Sequence, residues 1–165
     1  MWVCFTFLFI KTSLFDFLVL YLCPVLRCTD MAFYGFFDGA SWHTRNLAYV
    51  AWVIYSPSDK LIISGGRCLG HATNNIAKYQ AAIGLMTEAL SCGISQLIVH
   101  LDSQLIVSQL NGIYSIRNLT FLRLFRRVRL LEIWFTYICF CHIPRRFNTA
   151  ADSLANFLLD WYLSH

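Results

Sequence analysis

Three strand-like runs in direct succession, ahead of the first helical period, narrow the fold of this chain more than any other feature. Phe33–Phe37, Ala48–Tyr55 and Leu61–Cys68 are short and rich in aromatic and β-branched residues, the side chains that suit a pleated surface. The second and third are joined by Ser56-Pro57-Ser58-Asp59-Lys60, where proline followed by aspartate predicts a hairpin turn. Ile76, Tyr79, Ile83, Met86 and Leu90 then recur at intervals of three and four residues, the signature of one buried helix face. Thr73 and Asn74 are good N-caps for that helix, and Cys92-Gly93 is a natural stop.

Beyond it strands and helices alternate. Gln96–Leu101 reads as a fourth strand, and Ser103 to Asn111-Gly112 as a short helix. Phe135–Ile143 reads as a fifth strand stopped by Pro144, followed by a last helix that contains Asp152. Between them Leu119–Trp134 is a longer amphipathic helix. Phe121, Leu124, Phe125, Val128 and Leu131 share one face, Arg123, Arg126 and Arg127 the opposite one, and Arg129 flanks the stripe. This order predicts an α/β layer fold with a mixed five-stranded sheet flanked by helices.

The 165 residues are enough for one domain with a proper core. Only 13% are charged and 58% are hydrophobic, against about 25% charged in an average soluble protein. The formal charge of +4 is concentrated: Arg117 to Arg146 holds seven arginines and the single acid Glu132, which leaves the remainder mildly acidic. Such a stretch suits an anionic partner such as nucleic acid, and equally a solvated helix face. Seven cysteines (Cys4, Cys23, Cys28, Cys68, Cys92, Cys139, Cys141) form no CxxC pair, so reduced, largely buried thiols are expected and no disulfide-linked partner. Cys139 and Cys141, two apart on a strand, point to one face.

Residues 1–30 form an apolar extension ahead of the domain predicted over 31–165. Two apolar runs within 1–26 are split by Lys11. The first is too short for a bilayer span of about twenty residues, and the charge follows the run where a signal peptide would place it before. The segment reads as a leader, a membrane anchor, or sequence foreign to the domain. An intracellular location, nucleus or cytoplasm, is favoured, with membrane contact or the secretory pathway following only from a genuine leader.

Four segments carry candidate chemistry: Phe36-Phe37-Asp38-Gly39-Ala40-Ser41, Thr73-Asn74-Asn75-Ile76-Ala77-Lys78-Tyr79-Gln80-Ala81, Leu101-Asp102-Ser103-Gln104, and Ala150-Ala151-Asp152-Ser153. In this order and spacing they resemble the type 1 ribonuclease H domain, in the version common in plant genes and retroelements, over roughly residues 33 to 160. The resemblance implies a ribonuclease H-like fold and hydrolysis of the RNA strand of RNA–DNA hybrids. It implies two Mg²⁺ (or Mn²⁺) ions held by carboxylates, here Asp38, Asp102 and Asp152 as catalytic residues and metal ligands. It further implies that Gly39, Asn74, Asn75 and Gln104 face the RNA strand, where amides can donate to and accept from a 2′-hydroxyl. Arg123 and Arg127 are candidates for phosphate contacts. Each acid also has a plain alternative: a turn residue for Asp38, an N-cap for Asp102, a favourable helix-start charge for Asp152.

Lys78 departs from that pattern. In the family a glutamate stands there, whereas lysine is acceptor-less while protonated, and nearby carboxylates hold the proton on. Glu88 cannot substitute, being about 15 Å further along the same helix. Tyr49 and Trp52 stand where small residues are expected in the second strand, so packing there must shift or strain. The sequence therefore predicts a ribonuclease H domain with impaired catalysis; the alternatives are a non-catalytic nucleic-acid-binding domain and a decayed retroelement product.

Overall fold

The computed structural model describes residues 31–42 and 47–164; the apolar extension, and with it any leader or anchor, lies outside them. The elements run β1 (Phe33–Trp42), β2 (Leu47–Tyr55), β3 (Leu61–Gly70), α1 (Asn74–Ser91), β4 (Gln96–Leu101), α2 (Gln104–Leu110), α3 (Leu119–Glu132), β5 (Tyr137–His142), a 3₁₀ turn (Arg145–Phe147) and α4 (Thr149–Ser164). The five strands form one sheet in the order β3-β2-β1-β4-β5. β1 and β2 are antiparallel, as are β2 and β3, while β4 pairs parallel with both β1 and β5. This is the mixed α/β architecture that the element order predicts. Among the described residues no helix is long and apolar enough to cross a membrane.

β1 is longer than its sequence suggests. Asp38-Gly39 looks like the start of a turn, yet the strand continues to Trp42, with Asp38 opposite Ala51 and Gly39 opposite Val50 on β2. Asp38 is thus a mid-strand residue and not a turn aspartate. Alternation then sorts the side chains. Phe37, Val50, Trp52, Ile54, Leu97 and Val99 join the main core with α1, while Phe36, Val53, Tyr49 and Ala51 pack with α4 through Ala151, Ala155 and Leu158.

Of the two bulky residues of β2, Tyr49 packs with Ala51, Ala155 and Leu158, and Trp52 is accommodated by glycine. Trp52 is fully buried, and a Cβ on Gly84 of α1 would stand 2.5 Å from Trp52 Cζ3. Gly65 on β3 leaves similar room beside the indole nitrogen. The indole N–H donates to Glu88 Oε2, which satisfies a donor that burial would otherwise leave costly. The strain expected at Trp52 is avoided because residues distant in sequence lack side chains where the ring lies.

Helix α1 begins as predicted but with one cap. Thr73 Oγ1 accepts from the Ile76 N–H at 3.3 Å, so neither Asn74 nor Asn75 is needed for capping. At its other end Gly93 has φ +75°. The Ile94 N–H reaches the Ala89 carbonyl at 3.0 Å and the Gly93 N–H the Leu90 carbonyl at 3.0 Å, the pair of bonds that closes a helix over a left-handed residue. On α3, Leu124 and Val128 are buried and Arg123, Arg126 and Arg127 exposed, the division that its periodicity predicts.

Candidate active site

Phe36 on β1 lies opposite His100 on the parallel strand β4. Two residues further along each chain, Asp38 and Asp102 therefore leave the same face side by side. His100 beneath them is buried and stacks on Phe36, with centroids 4.9 Å apart. Burial, only partly opposed by a hydrogen bond with the Gly35 backbone, pulls its pKa down to about 4. The floor of the site is therefore a neutral imidazole.

Lys78 reaches this pair from the first turns of α1. Its ammonium donates to Asp38 Oδ1 and, at 2.6 Å, to Asp102 Oδ1. The side chains are 15%, 6% and 9% exposed for Lys78, Asp38 and Asp102, so solvent screens the three charges little. Burial alone would favour the neutral amine. The Asp38 charge, hydrogen bonds to Asp102 and Asp38, and the Asp102 charge together outweigh it and hold Lys78 above its ordinary pKa. Burial pushes the Asp38 carboxyl up, against the charge and hydrogen bond of Lys78. The mutual attraction acts on both partners alike, and the fully protonated ammonium is its outcome. Asp102 does not cap α2: Ser103 does, its Oγ accepting from the Ile106 N–H at 3.4 Å.

Backbone contact fixes the seat of Lys78. Gly39 is buried against α1, where a Cβ would lie 2.5 Å from the Ala77 carbonyl carbon and 2.6 Å from the Lys78 nitrogen. Only glycine lets strand and helix approach so closely. The Gly39 N–H donates to Asp38 Oδ1 at 2.8 Å. One residue into α1, Asn74 Oδ1 accepts the Ser41 N–H at 2.7 Å and ties the end of β1 to the helix start.

Asp152 belongs to a second, more open group. Its Oδ1 accepts from Arg145 at 3.0 Å and its Oδ2 from Asn156 at 3.3 Å. Arg145 is raised above its ordinary value by that hydrogen bond first and by the Asp152 charge second; the Asp38 and Asp102 charges add to it, so Arg145 stands within electrostatic reach of all three acids. Asn148, ahead of α4, is buried and donates to the Phe37 carbonyl at 2.9 Å, anchoring the helix that carries Asp152 beside Asp38. Neither Arg145 nor Asn148 was singled out from sequence; the only signal was the Pro144-Arg145-Arg146 run ahead of the last helix.

The remaining candidates lie around this centre. Asn75 is half-buried in the first turn of α1. Gln104 opens α2 exposed, its amide donating to Ser108 Oγ at 3.1 Å. Arg123 and Arg127 are exposed on α3. Burial first and the Arg127 charge second lower the pKa of Arg67, which donates to Gln80 at 3.1 Å, so positive charge extends from α3 to β3.

A two-metal centre requires oxygen ligands converging on each cation. Here an ammonium bridges Asp38 and Asp102, and a guanidinium holds Asp152. No group of three or more His, Cys, Asp or Glu side chains among the described residues could hold a metal ion. As arranged, these residues do not fit a pair of divalent ions.

Sheet order, acid placement and helix arrangement together define a ribonuclease H-type domain. Comparison with known proteins agrees: the family described as reverse transcriptase-like matches residues 36–158, and the chain belongs to this ribonuclease H-like family. It is 36% identical over 127 residues to a protein named ribonuclease HI from Halobacterium salinarum, covering 77% of this chain and 64% of that relative. The crystal structure of RNase H1 from Halobacterium salinarum superposes with a TM-score of 0.76 at 36% identity, over 78% of this chain and 98% of that one. The N-terminal RNase H domain of a Mycobacterium tuberculosis protein gives 0.76 at 27% identity, over 81% and 97% of the two chains. LC11-RNase H1, solved in complex with an RNA/DNA hybrid, gives 0.74 at 26%, over 79% and 99%. The chain thus spans just under two thirds of the full archaeal relative, and 34% of a mycobacterial protein to which it is 30% identical.

Proposed function

We propose that this chain is a ribonuclease H-family domain that engages RNA–DNA hybrids and hydrolyses them far more slowly than its relatives. The observation that carries this reading is the Lys78 ammonium bonded to both Asp38 and Asp102. It occupies with a fixed cation the place where the family's chemistry calls for exchangeable Mg²⁺ or Mn²⁺. Engagement of a hybrid is supported by the fold, by the hybrid bound to LC11-RNase H1, and by the exposed arginines of α3. Arg123 and Arg127 would meet phosphates, while Asn74, Asn75 and Gln104 would offer amides to the RNA strand.

A hybrid-cleavage assay of the full chain in Mg²⁺ and in Mn²⁺, beside Lys78→Glu and an Asp38→Asn control, tests the catalytic half. The parent should cleave little, and Lys78→Glu should gain metal-dependent cleavage that Asp38→Asn lacks. Cleavage by the parent at a rate ordinary for the family, absent from the Asp38→Asn control, would refute it. For the binding half, Arg123→Ala with Arg127→Ala should weaken hybrid binding and flatten its dependence on salt. If affinity and salt slope stay unchanged, those arginines only solvate the helix.

A further inference from the structure

The failure of this site to fit metal ions has a positive counterpart in its unused donors. An ammonium has three N–H groups, and Lys78 directs two of them to Asp38 and Asp102. A guanidinium has five, and Arg145, its side chain 76% exposed, gives one to Asp152. Each cation thus offsets part of the acidic charge it faces and keeps hydrogen-bonding capacity beyond the bonds it already makes. With glutamate at position 78 the same group of side chains would lose one positive and gain one negative charge, a net change of two units. A polyanion approaching that version would meet strong repulsion until cations arrived.

We propose that Lys78 and Arg145 form a phosphodiester-binding site that works without divalent metal, the two side-chain cations receiving a backbone phosphate of the hybrid beside the acids they are paired with. This rests on the hybrid-binding reading above and specifies where, and under which ionic conditions, the strand is held. No bond in the nucleic acid is made or broken. The phosphate oxygens accept from the remaining Lys78 N–H and from the free edge of Arg145, charge-assisted bonds on both sides. The Ile143 N–H donates to the Leu101 carbonyl at 3.0 Å and Asn148 to the Phe37 carbonyl at 2.9 Å, so the segment carrying Arg145 lies against the strand ends that bear Asp102 and Asp38, and the two cations serve one locus.

The test is binding of a fluorescently labelled RNA–DNA hybrid to the full chain by anisotropy, in EDTA and in Mg²⁺ at matched ionic strength. The parent should bind with the same affinity in both, within about twofold. Lys78→Glu should lose about tenfold or more in EDTA and recover in Mg²⁺. Arg145→Gln, at an exposed position that leaves the core untouched, should lose several-fold in both buffers. Circular dichroism of each variant keeps loss of binding apart from loss of fold. Parent binding that requires Mg²⁺, or Arg145→Gln binding as the parent does in EDTA, overturns the metal-free site while leaving hybrid engagement standing. Absence of hybrid binding in every buffer overturns both readings.

Discussion

The two cations at the acids make the same kind of bond at different depths, and depth decides what each is worth. Lys78 and its partners are 15%, 6% and 9% exposed; Arg145 and Asp152 are 76% and 29% exposed. In the first group burial has already stripped the charges of water, so each depends on the others for compensation. In the second, either partner can return to solvent when the other is removed. A count of ion pairs would score these alike. Accessibility separates a group whose loss should cost the fold several kcal/mol from one whose loss should cost it little.

The comparison breaks most readily at Lys78. Lys78→Met leaves Asp38 and Asp102 buried and facing each other, and should destabilise the fold by about 3 kcal/mol in urea denaturation at neutral pH. A loss no greater than that of the exposed pair would erase the distinction. Gly39→Ala probes the backbone beneath the same group: with a Cβ 2.5 Å from the Ala77 carbonyl carbon, overpacking should cost about 2 kcal/mol. An unchanged denaturation midpoint would mean that β1 and α1 separate easily.

On the exposed side, Arg145→Gln should cost less than about 1 kcal/mol, and that loss should fade in about 1 M salt, where the Debye length falls to about 3 Å. A loss that persists in high salt would place this pair with the buried one. An effect confined to alkaline pH is expected at Tyr79, whose hydroxyl donates to Gln109 Oε1 at 2.9 Å and is pushed by burial from 10.0 up to about 12. A phenol with a raised pKa contributes stability that is fully present below 10.0 and lost as pH rises through about 12. Thermal melts between those pH values should show that decline, and Tyr79→Phe should remove it. A parallel decline in both proteins would assign it to other groups.

The fold was legible because periodicity and turn chemistry are local. The alternation of β2 and β3 and the three-to-four spacing of α1 specify elements without reference to anything distant. The run of β1 past Asp38 was not legible, since Asp-Gly resembles a turn until β2 pairs with it. The easing of Trp52 by Gly84 and Gly65 joins residues more than ten positions apart and exists only in the packed molecule. At the site, the acids and Lys78 could be named from spacing. Arg145 could not, because a basic run before a helix reads as charge until the 3₁₀ turn brings it over Asp152. Asn74 was ambiguous between capping and recognition, and Thr73 relieves it of the first task.

The close seat of Gly39 beneath Lys78 also bears on heredity. Because the helix backbone is fixed at that point by a residue without a side chain, position 78 is a socket whose occupant can change while the socket stays. Lysine and glutamate codons differ in their first base alone. One transition there exchanges a tethered cation for a carboxylate, and the reverse transition restores it. On the reading proposed above, a lineage carrying this gene stands a single mutational step from either chemistry.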